Sequence, residues 1–114
     1  MTRSNLYIRL SNGNFLICVA DSSSAPEQGY IVESLILPLL SLENAENELA
    51  LITEHCTMNE QRINATYRYE INLKAKTVAF YEEHYHYKSD RFSVGENLTD
   101  RYSTYLLSID NQTV

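Results

Sequence analysis

Apolar and polar residues alternate along two stretches of the chain, which is the period of a β-strand with one buried face. The first stretch surrounds Asn12-Gly13, a dipeptide preferred in two-residue type I′ turns because both central positions need positive φ. With those two residues as the loop, one β-hairpin is predicted over about residues 5–20. Its apolar face would carry Leu6, Ile8, Leu10, Phe15, Ile17 and Val19, and its other face Tyr7, Arg9, Leu16 and Cys18.

The second alternating stretch predicts another hairpin, over about residues 66–88. With Ala75 and Lys76 as the loop, Leu73 would face Val78 and Ile71 would face Phe80. In the same register Arg68 would face Glu83 as a cross-strand ion pair. The residues on the apolar face are Tyr67, Tyr69, Ile71, Leu73, Val78 and Phe80.

Two other segments have the three- and four-residue spacing of amphipathic helices. Residues 42–56 carry an apolar stripe, and Ser41 is a plausible N-cap. Residues 98–109 carry a second stripe, which Asn97 could cap, although the Tyr and Thr content of this segment also suits a strand. The stripes are Leu42, Ala45, Leu49, Ile52 and Cys56 in the first segment, and Leu98, Tyr102, Tyr105, Leu106 and Ile109 in the second.

The remaining segments are less regular. Residues 30–40 are apolar but interrupted by Pro38, and their β-branched start favours a strand over a buried helix. Residues 21–29, 57–64 and 88–97 read as polar connections. The whole pattern predicts a single α+β domain over residues 1–114, in which an antiparallel sheet of two hairpins has its helices packed on one face.

The negative charge is concentrated in the first half of the chain. Between Leu10 and Gln61 there are eight carboxylates and no Lys or Arg, so this stretch accounts for the net charge of −6. Such a field favours cationic partners and repels nucleic acid and anionic membranes. On the first predicted helix the acidic surface consists of Glu43, Glu46 and Glu54.

The cysteines and the hydropathy pattern indicate the cellular compartment of the protein. Cys18 and Cys56 have no metal-type spacing, and we expect two reduced thiols, with a long-loop disulfide as the alternative. The N-terminal segment lacks an apolar signal core, and the most apolar run is too short to span a bilayer. We therefore expect a cytoplasmic protein with no membrane partner.

One cluster resembles an enzymatic site. On a strand, Glu82, His84 and His86 would project to the same side and could begin a divalent metal site. A third kind of ligand is not evident, so solvated side chains at the end of a hairpin are the stronger interpretation. His55 and Cys56 point about 100° apart on a helix and make no catalytic dyad. We expect no cofactor and, in the absence of a catalytic motif, a protein that is not an enzyme.

The tyrosines point to binding instead. If Val78 and Phe80 face the core, Tyr81, Tyr85 and Tyr87 project from the opposite face of the sheet. Tyrosine is favoured at interfaces because it buries a large area and keeps a polar tip. The sequence thus predicts a small acidic protein-binding module, whose partner is a basic protein or a second copy in a homodimer. The alternatives are an inhibitor that mimics nucleic-acid charge and a metal-dependent enzyme using Glu82, His84 and His86.

Overall fold

Six strands form one mixed sheet in the computed structural model, which describes residues 2–112. The order across the sheet is β3-β2-β1-β4-β5-β6, and β1 runs parallel to β4 while every other pairing is antiparallel. The prediction of an α+β fold with two hairpins is confirmed, but the prediction of a wholly antiparallel sheet is wrong. The strands are β1 (Ser4–Arg9), β2 (Phe15–Ala20), β3 (Thr57–Met58), β4 (Tyr67–Asn72), β5 (Thr77–His86) and β6 (Arg91–Asn97).

Three α-helices pack on one face of this sheet. They are α1 (Leu37–Leu42), α2 (Ala45–His55) and α3 (Thr99–Gln112), and a π-helical segment, Ile31–Ile36, runs directly into α1. Within residues 2–112, no helix combines the length and the hydropathy needed to cross a bilayer. The core includes Leu6, Ile8, Cys18, Tyr69, Ile71 and Phe80 from the sheet, and Ile31, Val32, Leu35, Ile36, Leu39, Ile52 and Tyr102 from the helical layer.

The first hairpin forms where predicted, but its register is shifted by one residue. Arg9 pairs with Phe15, and Leu10 pairs with Asn14 through a backbone hydrogen bond of 2.8 Å. The loop therefore has three residues, and Gly13 supplies the positive φ, 92°, that closes such loops. A shift of one position exchanges the faces of β2, so Leu16, Cys18 and Ala20 face the core while Phe15 is half exposed.

The second hairpin keeps the predicted faces in a different register. Ile71 pairs with Val78 and Tyr69 with Phe80, a shift of two residues, which preserves the side to which each residue points. Phe80 is fully buried. The loop is longer than predicted because the Asn72 side chain accepts a hydrogen bond of 2.9 Å from the Ala75 N–H and stabilises a wider turn.

The strand prediction for residues 30–40 is wrong, because this segment is helical. Ile31, Val32, Leu35, Ile36 and Leu39 are all buried and recur at the spacing of one helical face, whereas Glu33 is exposed. The Leu37 N–H bonds to the Val32 carbonyl, which is the wider spacing of a π-helix. Pro38 follows in the first turn of α1, where a missing N–H costs little.

Helix α2 begins later than predicted, and it buries Glu48 in place of Leu49. Asn44, not Ser41, caps it by accepting a hydrogen bond of 3.0 Å from the Asn47 N–H. Glu48 is fully buried whereas Leu49 is 41% exposed. The reason is a polar anchor: Ser11, in the first hairpin loop, donates its N–H to Glu48 Oε1 at 2.9 Å and its hydroxyl to Oε2. The other residues of the predicted stripe face the core as expected: Ile52 is buried, and Leu42, Ala45 and Cys56 pack against the core.

Helix α3 was predicted, whereas strands β3 and β6 were not. Residues 99–112 form helix α3, as predicted, and Asn97 accepts a hydrogen bond of 2.9 Å from the Thr99 N–H. Tyr102 is buried and the rest of the predicted stripe packs against the core. Two of the three segments predicted as polar connections contain strands: residues 57–64 contain the short edge strand β3, and residues 88–97 contain the full strand β6. Only Phe92 and Val94 in β6 have strand-like spacing, which is too short a pattern to predict a strand.

We predict that replacing Glu48 with Ala lowers the free energy of unfolding by about 2–4 kcal/mol, because both Ser11 donors would lose their acceptor in a buried site. Chemical denaturation measures this directly. Glu46→Ala is the matched control: it lies in the same first turn, is exposed, and should cost at most about 1 kcal/mol. Equal losses in the two variants would contradict the anchoring role.

Candidate protein-binding site

The end of the β5–β6 hairpin extends beyond the rest of the sheet. Strand β4 reaches only as far as Glu82, its last partner being Tyr67, whereas β5 continues to His86. Residues 84–86 pair with β6 alone, through Ser93, Phe92 and Arg91 in turn. We call residues 84–93 the arm. A two-stranded ribbon has little stability of its own, so its side-chain contacts determine whether it stays ordered.

An aromatic cluster lies on one face of the arm. Tyr85 packs across the ribbon on Phe92, with ring centroids 5.0 Å apart, and edge-on against Tyr87 at 4.9 Å. The Tyr85 hydroxyl bonds to the Asp90 carboxylate, which raises the pKa of Tyr85 above its ordinary value. Tyr87 remains 76% exposed. The cluster points away from the helices, since it shares the side of β5 opposite to Phe80.

Tyr81 lies on the same face but outside the arm, where β5 still pairs with β4. It stands opposite Arg68 in the β4–β5 register and is half-buried. The three tyrosines of the predicted row therefore share one face. The structure groups Tyr85 and Tyr87 with Phe92, which the sequence pattern did not indicate. Phe92 was missed because the two-residue pattern of Phe92 and Val94 is too short to predict the strand β6 that carries it.

The acidic candidates lie elsewhere on the molecule. Glu46 and Glu54 are exposed on α2, and Glu43 is exposed at the α1–α2 junction, where its φ is 54°. None of the three forms an ion pair with another side chain of residues 2–112. Because the helices and the aromatic cluster are on opposite faces of the sheet, the structure does not combine the acidic and the tyrosine residues into one surface.

The Glu82, His84 and His86 row is only partly assembled. His84 Nε2 lies 3.5 Å from Glu82 Oε1, and the His84 ring lies so close to Gly95 that a Cβ there would be 2.2 Å away. His86 Nε2 instead contacts Ser93 Oγ at 2.8 Å. Over residues 2–112, three side chains of the His, Cys, Asp or Glu type nowhere converge in a way that could hold a metal ion.

A buried ionic network supports the base of the arm. Of this network, the sequence predicted only the ion pair between Arg68 and Glu83. Glu83 Oε1 accepts from Arg68 Nε at 3.0 Å, while Oε2 accepts from Asn5 Nδ2 at 2.9 Å and from the Tyr7 hydroxyl at 3.1 Å. The Arg68 guanidinium also lies 4.1 Å from the centre of the Tyr7 ring. Burial and the nearby Glu83 carboxylate raise the pKa of Tyr7 to about 12, so its hydroxyl stays a donor.

The loop of residues 59–66 covers this network from outside. The Arg62 N–H donates to Asn5 Oδ1 at 2.7 Å, and Gln61 Nε2 donates to the Tyr7 hydroxyl at 2.7 Å. Each carboxylate oxygen of Glu83 thus has a partner, as a buried charge requires. We interpret this network as structural, since its buried groups are occupied with one another.

The chain was compared with family models, curated proteins and solved structures. No family model matches the chain, and neither a curated protein nor a solved structure is similar to it.

We predict that Glu83→Ala lowers the free energy of unfolding by about 3–5 kcal/mol, because Asn5, Tyr7 and Arg68 would lose their buried acceptor and the more exposed Glu70 would be the remaining counter-charge of Arg68. Glu70→Ala is the control, since Glu70 contacts the same guanidinium at 3.2 Å but its side chain is 43% exposed. That variant should lose about 1 kcal/mol or less. Denaturant titration of both variants provides the measurement, and a mild effect at Glu83 would argue against the network as a support.

Proposed function

We propose that the protein is a non-catalytic protein-binding module of the cytoplasm, and that the aromatic cluster of the arm anchors its partner. The observation that supports this is the exposure of Tyr87, 76%, beside Tyr85 and Phe92 on a ribbon that projects from the sheet. Grouped aromatic side chains with polar tips are typical of the residues that carry binding energy at interfaces. Both cysteines are free, which suits a reducing compartment.

A basic protein is the partner that the charges favour. Each copy carries a net charge of −6, which opposes association of two copies and attracts cations. Nucleic acid fits less well, because stacking platforms need several cations around the aromatic rings. Near the cluster only Lys88 and Arg91 are exposed cations, while Arg68 is engaged with Glu83.

Tyr87→Ser should weaken partner binding by roughly ten-fold or more while leaving stability within about 0.5 kcal/mol of the parent, because Tyr87 is an exposed anchor. The partner would be captured with the full chain as bait, identified by mass spectrometry and titrated by calorimetry. Leu107→Ser is the control: it removes another exposed apolar side chain, 63% exposed, on α3.

Unchanged affinity in Tyr87→Ser, or equal weakening by Leu107→Ser, would contradict the arm as the anchor. Light scattering on the purified protein separates the two kinds of partner. A dimer that becomes a monomer in Tyr87→Ser would identify a second copy, rather than a basic protein, as the occupant of the aromatic face.

The acidic surface should act on the rate of association. Replacing Glu43, Glu46 and Glu54 with Gln is expected to slow binding of a basic partner several-fold at low salt, and the difference should vanish at high salt. Stopped-flow kinetics at two ionic strengths measures this. Neutralising Glu70, Glu96 and Asp100 changes the net charge equally on other elements and is the control. Equal slowing in both variants would show that only net charge matters.

An inhibitor that mimics nucleic-acid charge is a second candidate, because Glu43, Glu46 and Glu54 are all exposed and form no ion pair within the described chain. This candidate predicts that DNA or RNA competes with the protein for the captured partner. In that case the triple Gln variant, and not Tyr87→Ser, would abolish binding.

A further inference from the structure

The two cysteines, 38 positions apart in the chain, meet at the β2–β3 edge of the sheet. Cys18 pairs with Met58 across these strands, so Cys56, two residues earlier, lies diagonally opposite Cys18 on the same face. Both side chains pack in the core cluster, and both thiols are free. Short side chains at diagonal positions are at the limit of contact, and the hydrogen bond between the two thiols shows that these two sulfurs are neighbours.

The two thiols differ in their access to solvent. Cys18 is completely buried, whereas Cys56 is half-buried and lines an open depression of about 420 Å³. Asp21, His55 and Thr57 line the same depression. A small reagent that enters it would therefore meet Cys56 first, and Cys18 only through Cys56.

Contact between the thiols also differentiates their chemistry. A hydrogen bond from Cys18 lowers the pKa of Cys56, against the opposing effects of burial and of the Asp21 carboxylate. The same hydrogen bond, together with burial, raises the pKa of Cys18. Cys56 is also the thiol that solvent reaches, so we assign to it the thiolate that acts as the nucleophile in disulfide exchange.

We propose that Cys56 and Cys18 form a thiol–disulfide exchange site that reacts with small disulfides of the glutathione type. The Cys56 thiolate attacks one sulfur of the reagent, breaks its S–S bond and releases one small thiol. Cys18 then loses its proton, attacks the Cys56 sulfur of the mixed disulfide and releases the second small thiol. The two cysteines are oxidised by two electrons, the reagent is reduced by two, and the two protons leave on the released thiols.

The resulting disulfide would connect strand β2 with the end of helix α2. Cys56 is the residue that ends this helix, its N–H being bonded to the Ile52 carbonyl. A covalent bond there closes a loop that contains the π-helical segment, α1 and α2. Closing so long a loop restricts the unfolded chain, so the oxidised protein should be the more stable form.

The test uses the full folded chain and glutathione disulfide as the probe. Intact mass after treatment should show a loss of about 2 Da and no retained adduct, and peptide mapping should place one bond between Cys18 and Cys56. The thermal midpoint should rise by roughly 5–15 °C and return on reduction. In Cys18→Ala the glutathione adduct should instead persist on Cys56, and Cys56→Ser should leave Cys18 unmodified.

Three results would overturn the proposal: two thiols that remain free, an adduct on Cys56 of the parent protein that is never resolved, or disulfides only between chains. Mapping of the unmutated protein keeps the test decisive even if Cys18→Ala fails to fold. Circular dichroism before and after treatment verifies that the reaction occurs in the native state.

Discussion

The parallel pairing of β1 with β4 joins the two hairpins into one sheet, and the rest of the structure depends on it. Backbone hydrogen bonds hold the two strands together. The Glu83 network stabilises the same pairing through side chains on the face of the sheet opposite the helices. Arg68 on β4 and Tyr7 on β1 both bond to the carboxylate of Glu83 on β5, so three strands share one buried charge. Glu83 is also where β5 leaves β4, which means that the arm projects from a rigid base.

Alternation in the sequence predicted the faces of β1, β4 and β5, but not the registers of the hairpins or the order of the strands in the sheet. A period of two tells which residues share a side, and Phe80 is buried as expected. Loop length sets the register, and Asn12-Gly13 suits both a two-residue and a three-residue loop. The pairing of β1 with β4 left no local mark, since neither hairpin specifies which edge of the other it will meet.

Only part of the candidate site could be predicted, because strand period gives the face of a residue but not the length of the neighbouring strand. The tyrosine row follows from the two-residue period of a strand, so its common face could be inferred. The arm could not, because it exists only since β4 is shorter than β5.

Helix α2 shows another limit of prediction from sequence spacing. A buried Glu48 contradicts the usual preference for apolar residues, and only Ser11, far away in sequence, explains it. Cys18 and Cys56 likewise meet through the short strand β3, which was not predicted.

The joint between β1 and β4 also has a consequence for how the chain folds. Each partner pair across it, from Ser4 with Tyr67 to Arg9 with Asn72, is separated by more than half of the chain. Both hairpins and the helices can form from nearby residues, but this closure has to bring together strands that a long segment separates, which costs loop-closure entropy. Assembly of the central strands is therefore expected to be the slow, rate-limiting event, and until it occurs the inner edges of both hairpins stay open to other chains.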